Sequence, residues 1–277
     1  MKICLAGGGW GCVSAYKSLS EKLSHLFVFT SDQDLRAITR NSDHLVDGLV
    51  FSDYDYVICA GYKEIIDKYC LSKNNVLNIH YSLLPRYRGM HSTVWAMLNG
   101  DSQLGLSIHL MNGDIDDGPI VHQYKFNYNG ETSFQVMILL NEYVEENLGS
   151  IFLSFIDSHI TPIEQDKSGA TWCCKRNLDD CMIDFNESIS FQERFFKALV
   201  RPYPLPAISV RSKSYEILEA DFIYRDYHMT NGRVVNIDSD GAWIKVADGF
   251  LLVKKLLDEK RRAADFRAVF SIGMRLG

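Results

Sequence analysis

Short apolar runs alternate with longer amphipathic stretches through the first half of the chain. Lys2 to Ala6, Leu26 to Thr30 and Tyr56 to Ala60 read as buried strands, and Cys12 to Leu23 as the helix between the first two. Val76 to His80, Leu104 to Leu110 and Ile120 to Phe126 continue the strand series. Strands separated by helical segments predict an α/β fold, a mostly parallel sheet with helices on both faces. Ligands in such sheets bind beyond the carboxyl ends of the strands, so residues at those ends are the first to consider.

The texture changes further on. Thr132 to Phe155 carries a long helical periodicity, and Ile189 to Leu199 a second one that Pro202 and Pro204 stop. Short strands follow at Arg233 to Ile237, Trp243 to Val246 and Phe250 to Val253, separated by Asp240-Gly241 and Asp248-Gly249 turns. This predicts a larger domain over residues 1–204 and a small β-rich C-terminal domain over 205–277. No repeat or low-complexity linker interrupts the pattern.

Composition narrows the classes. Hydrophobic residues make up 47% of the 277 and charged residues 23%, enough for a sizeable core. The start lacks the pattern of a signal peptide and no apolar run is long enough for a membrane span, so the cytoplasm is the expected compartment, with no membrane partner. Seven cysteines, an odd number without paired zinc-site spacing, read as reduced structural thiols. A net charge of −6 argues against a protein devoted to nucleic acid, although residues 201–277 hold 13 Lys and Arg against 10 Asp and Glu.

Candidate chemistry lies between Leu77 and Ile120. Asn78 and His80 are two apart at a strand end, so their side chains point the same way. A neutral imidazole can take a proton near neutral pH, and an amide can donate to a developing oxyanion. A core histidine and a turn-forming asparagine would leave the same trace. The segment His109-Leu-Met-Asn-Gly-Asp-Ile-Asp-Asp-Gly-Pro-Ile120 holds Asp114, Asp116 and Asp117, which could orient a histidine, bind a metal or solvate a turn. Gly7-Gly8-Gly9-Trp10-Gly11 offers backbone donors at a helix start, suited to phosphate. It is not a dinucleotide fingerprint, because its last glycine comes one position early.

Together, Asn78-Ile-His-Tyr-Ser-Leu-Leu-Pro85 and the Asp116 loop, with His80 and Asp116 36 positions apart, resemble the folate-dependent formyltransferases. The likeness extends through Gly89 to Gly100, Ala198 to Pro204, Arg262 to Phe266 and Gly273 to Gly277. It implies a Rossmann-like catalytic domain, 10-formyltetrahydrofolate as donor, a primary amine as acceptor and no metal. It also implies that Asn78 holds the oxyanion, His80 takes part in removing the amine proton, and Asp116 orients His80. The pterin is expected between Tyr62, Lys63, Glu64 and Ile65 on one side and Asp114 and Ile115 on the other.

For the acceptor, the resemblance points to Gly8, Gly9, Trp10, Tyr81, Arg86 and Arg88. The segments His91-x-x-Val-Trp-Ala-Met-x-Asn-Gly100 and Ile115-Asp-Asp-Gly-Pro-Ile120 are most similar to the nucleotide-sugar N-formyltransferases, of the dTDP-4-amino-4,6-dideoxyhexose or GDP-perosamine type. The expectation is therefore formylation of a nucleotide-linked amino-deoxysugar for a surface glycan such as a lipopolysaccharide O-antigen, by a homodimer. Methionyl-tRNA is the alternative acceptor. A folate-binding protein without transfer, and a hydrolase releasing formate, are the readings from other classes.

Overall fold

The computed structural model describes Met1–Gly277, and contacts divide it into two compact units. The first comprises Met1–Ala96, Ser102–Tyr128 and Gln135–Lys175. In chain order its elements are β1 (Ile3–Gly7), α1 (Trp10–Lys22), β2 (Phe27–Phe29), α2 (Gln33–Ile38), β3 (His44–Val46), β4 (Tyr56–Ala60), α3 (Lys68–Lys73) and β5 (Val76–His80). Then come β6 (Arg88–Gly89), α4 (Ser92–Leu98), β7 (Gln103–Leu110), β8 (Ile120–Asn127), α5 (Ser133–Ile156) and β9 (Trp172–Cys173).

Seven strands form one sheet in the order β3-β2-β1-β4-β5-β7-β8. The first five pair in parallel, whereas β7 runs antiparallel to β5, and β8 to β7. The mostly parallel α/β sheet expected from the pattern is present; only β7 runs against the other strands, and the short β7–β8 loop, too short for a crossover helix, turns β8 back into the direction of β5. Central strands are buried on both faces: Cys4, Ala6, Val57, Cys59 and Val76 share one cluster. Leu5, Ile58 and Leu77, at intervening positions, are also buried.

Helix α5 buries Val136, Leu140, Val144, Leu148 and Phe152. A spacing of four residues puts them on one stripe of the helix. Gly149 makes the approach to α1 possible: a Cβ there would lie 2.5 Å from the Ser18 carbonyl oxygen, and the Gly149 N–H donates to Ser18 Oγ at 3.0 Å. No helix is long and apolar enough to cross a membrane.

The second unit comprises Arg176–Gly277 with Met97–Asp101 and Asn129–Phe134. It contains α6 (Ile189–Ala198), β10 (Ala207–Val210), β11 (Lys213–Tyr224), β12 (Val234–Ile237), β13 (Ala242–Val246), β14 (Gly249–Leu257), β15 (Ala263–Ala264) and α7 (Phe266–Val269). Its antiparallel sheet has the order β10-β11-β14-β13-β12, with β15 also on β14. The unit begins well before Pro204, where the change of texture had suggested a boundary. Helix α6 accounts for this, since the Phe196 ring meets Phe222 of β11 edge-on at 5.1 Å. Ser188 caps the helix through its bond to the Phe191 N–H.

Candidate active site

Asn78 and His80 stand at the carboxyl end of β5, where neighbouring strands set what they face. In the antiparallel pairing of β5 with β7, Asn78 lies opposite His109 and His80 opposite Ser107. Opposed residues share a face, so the pairing sets His109 beside Asn78. His109 began a segment of interest in the sequence, but nothing local tied it to Asn78; only the register does. Ser107 accepts from the Leu84 N–H at 3.1 Å and donates to the Ser82 carbonyl at 2.7 Å, pinning the loop after β5.

Asp116 reaches the same place from the β7–β8 loop. Its φ of 49° is left-handed, a conformation that costs a non-glycine residue energy and must be held by its surroundings. The loop folds tightly on itself, and a Cβ at Gly118 would sit 1.8 Å from the Leu110 carbonyl oxygen. Asp116 Oδ2 accepts from the Gly89 N–H at 2.8 Å and lies 3.5 Å from His80 Nδ1. Its Oδ1 lies 3.3 Å from His109 Nε2 and accepts from Asn78 Nδ2 at 3.4 Å. Asn78 Nδ2 is itself 3.3 Å from His109 Nε2.

The histidine protons follow from these contacts. His80 Nε2 faces the Tyr87 carbonyl at 2.8 Å, and His109 Nδ1 the Leu110 carbonyl at 2.9 Å. A carbonyl only accepts, so both nitrogens carry hydrogen. In a neutral His80 the basic nitrogen is then Nδ1, the one beside Asp116. His109 Nε2 accepts from the Asn78 amide when unprotonated and donates to Asp116 when protonated.

Burial lowers the proton affinity of His80 below the ordinary 6.5, more than Asp116 and the Tyr87 carbonyl raise it. Burial would raise the Asp116 carboxyl, but the His109 hydrogen bond, the charges of both imidazoles and the Gly89 N–H together hold it at about 2. Near neutral pH the resting pair is a neutral imidazole beside a carboxylate. Such a pair can take a proton from a nucleophile and stabilise the resulting imidazolium, with an amide donor close by for an oxyanion.

The other expected residues divide. Tyr62, Lys63, Glu64 and Ile65 lie in the loop after β4, and Asp114 and Ile115 in the β7–β8 loop; Lys68 at the start of α3 ties the two loops by an ion pair to Asp114 at 2.9 Å. Tyr62 donates to Glu64 at 3.2 Å. Ile65 and Ile115 are 99% and 69% exposed, an unusual setting for large apolar side chains.

Two backbone donors of the glycine loop are already engaged within the protein. Gly8 N–H donates to the Ala60 carbonyl at 3.2 Å and Gly9 N–H to Asp32 Oδ2 at 2.6 Å. Asp32, which caps α2, thus places a carboxylate where an anion would sit. Gly7, Gly8, Gly9, Asp32, Arg36 and Tyr62 are among the residues lining a cleft of about 1020 Å³ there.

Tyr81 is directed inward, donating to Asn141 Oδ1 at 2.6 Å. Arg88 is 4% exposed and pairs with Asp117 at 2.6 Å. It is committed to the protein, because a buried guanidinium needs a fixed partner. Arg86, exposed and stacked 5.0 Å over the Tyr87 ring, and Trp10, 53% exposed, face solvent.

Comparison with known proteins follows the same division. Residues 17–137 match the formyl transferase family and residues 176–272 the formyl transferase C-terminal domain. A methionyl-tRNA formyltransferase from Campylobacter lari is 24% identical over 253 residues, covering 90% of this chain and 81% of that one. Among solved structures, an N-formyltransferase from Helicobacter canadensis, in complex with folinic acid and dTDP-3-aminofucose, superposes with a TM-score of 0.69 at 17% identity, covering 92% of this chain and 99% of that one. HypX from Aquifex aeolicus, in complex with tetrahydrofolic acid, gives 0.65 at 17% identity, and this chain, 95% covered, spans 45% of it. Since both family regions match in order and the strand-end residues that carried the resemblance converge in space, the chain belongs to the formyl transferase family.

Proposed function

We propose that this enzyme moves the formyl group of 10-formyltetrahydrofolate to the amino group of a nucleotide-linked amino-deoxysugar, a 4-amino-4,6-dideoxyhexose being the favoured acceptor. The convergence of Asn78, His80 and Asp116 carries the transfer chemistry. The neutral amine attacks the formyl carbon, and Asn78 Nδ2 donates to the oxygen as it gains charge. His80 Nδ1 takes the amine proton while Asp116 stabilises the imidazolium. The bond from the formyl carbon to N10 breaks, N10 receives a proton, and the new amide bond remains on the acceptor.

The donor fits the two loops tied by Lys68 and Asp114. Exposed Ile65 and Ile115 offer apolar surface to a pterin ring, and the neighbouring backbone offers it hydrogen bonds. The sugar reading draws support from the near end-to-end likeness to the Helicobacter canadensis enzyme and from the acidic net charge. With Arg88 buried, the loop after β5 presents Arg86 to a phosphate rather than a pair of arginines. A homodimer belongs to this reading; the outer strands β10 and β12 are the surfaces such pairing would cover.

Methionyl-tRNA is the second reading, favoured by the Campylobacter lari relative. The test is formyl transfer from 10-formyltetrahydrofolate to a panel of dTDP-, GDP- and UDP-linked 3- and 4-amino-deoxysugars, with initiator methionyl-tRNA alongside and H80A as control. Turnover of one sugar, lost in H80A, is the expected result. Formylation of tRNA alone would overturn the acceptor, and formate release without transfer would overturn the reaction.

A further inference from the structure

Gln165, in the segment between α5 and β9, touches neither Asn78 nor His80, yet it braces the loop that delivers Asp116. Its Nε2 donates to the backbone carbonyls of Asp116 at 2.7 Å and Gly118 at 2.8 Å. Its Oε1 accepts from Arg88 Nε at 3.2 Å and Nη2 at 2.7 Å. Arg88 in turn pairs with Asp117, whose other oxygen lies 3.4 Å from Lys167 Nζ. The polar end of Gln165 therefore has its donors and its acceptor engaged within a residue that is 7% exposed.

The rest of the segment is anchored on either side of this contact. Ile163 exchanges backbone hydrogen bonds with Ile120, at the far end of the Asp116 loop. Thr171 Oγ1 accepts from the Tyr87 N–H at 2.9 Å, and Trp172 and Cys173 pair with Arg88 and Gly89. Those pairings hold the two groups that complete the site: the Tyr87 carbonyl, which fixes the His80 proton, and the Gly89 N–H, which binds Asp116. Asp116 has a left-handed backbone, and its carbonyl is the group Gln165 captures.

We propose that Gln165 is a positioning residue for Asp116, holding the left-handed turn that aims its carboxylate at His80 and His109, and that Arg88 acts through Gln165 and Asp117 to fix the same turn. The inference rests on the reading that Asp116 serves formyl transfer. Losing the Gln165 donor frees the Asp116 carbonyl to rotate and lets the carboxylate drift from Nδ1 of His80. Around His80 the titratable groups are Asp116 and His109, with Cys173 also near the carboxylate.

Two variants separate positioning from bulk stability. Q165L removes donor and acceptor without adding charge, whereas Q165E keeps oxygen for Arg88 but sets a carboxylate in place of the donor to the two carbonyls. Both are expected to lower kcat by about 10- to 100-fold, the cost of a small misplacement, with KM for 10-formyltetrahydrofolate little changed. The acid limb of kcat against pH should move to lower pH in Q165L, which adds no charge, because His80 loses the carboxylate that raises its proton affinity. The ¹⁵N titration of the His80 ring should move the same way in protein without substrates.

A fall in melting temperature with kcat per folded enzyme, acid limb and ring titration unchanged would overturn the proposal. If D116N abolishes turnover while both Gln165 variants match wild type, the inference fails alone. If D116N leaves transfer intact, the reading of the site fails with it.

Discussion

His80 and Asp116 meet through a single imidazole nitrogen: Nδ1 lies 3.5 Å from Oδ2, while Nε2 donates to the Tyr87 carbonyl at 2.8 Å. The ring cannot swap its nitrogens without leaving a buried carbonyl unpaired, so the proposed base is oriented before substrate arrives. Replacing His80 by alanine should reduce kcat by about 10²–10⁴-fold, the usual contribution of a positioned general base. Single-turnover transfer with both substrates saturating measures it, and circular dichroism checks that the fold is kept.

The pH profile should reflect His80 rather than Asp116. Burial lowers the His80 proton affinity below the ordinary 6.5 and Asp116 opposes that, so activity should fall on an acid limb below pH 6.5. D116N should move the limb lower still while reducing kcat. A limb that stays in place in D116N would separate the two residues functionally.

Stability on the acid side has the same origin, in two windows. His80 binds its proton more weakly folded than unfolded, so protonation favours the unfolded chain and stability falls as pH drops below 6.5. The Asp116 carboxyl sits at about 2 in the folded protein against 3.8 unperturbed; its stabilisation is present above 3.8 and lost as pH falls toward 2. Urea unfolding midpoints against pH should show both losses in wild type and a smaller lower one in D116N, where Asp32 and Asp43, also held below the ordinary carboxylate range, still contribute.

Asn78 and His109 should fail in different ways. N78A removes the proposed oxyanion donor and should cost about 10²–10³-fold in kcat, with KM for both substrates nearly unchanged. H109F removes a contact that helps keep Asp116 ionised without touching substrate, so its smaller loss of kcat should come with a raised Asp116 pKa. Carboxyl ¹³C titration of Asp116 reads the second effect directly.

Arg86 and Arg88, two residues apart, should separate binding from folding. R88A leaves Asp117 buried beside a missing partner and should destabilise by about 3–5 kcal/mol, with Lys167 able to offset part of it. R86A removes an exposed guanidinium along with its stack on and bond to Tyr87, so it should lower the melting temperature much less than R88A while raising the acceptor KM. Thermal unfolding with acceptor titrations on both variants checks the contrast.

Periodicity and motif carried much of this protein. The strands β1, β4, β5, β7 and β8 and the helices α1, α5 and α6 were legible because buried strands and one-sided helices leave regular apolar spacing. The short β3, β6 and β9 were not, since two or three residues hold no period and exist only because a neighbouring strand pairs with them. Strand β11 hid for a different reason: all its 12 residues but Ile217 are half-exposed or exposed, so no clean alternation of apolar and polar positions marks it.

The site divides along the same line. Asn78 and His80 share a face by strand geometry alone, and the Asp116 loop announced itself by its carboxylates. Tertiary structure decided everything that depends on long-range partners. The β5–β7 register recruited His109, the segment after α5 brought Gln165 to the Asp116 carbonyl, and Asp32 took the Gly9 N–H that looked free for phosphate. Arg88 read as a ligand for anions because sequence shows its charge but not its neighbour; folding placed Asp117 and Gln165 against it. Spacing along the chain fixes which way a side chain points, whereas pairing across the chain fixes what it meets.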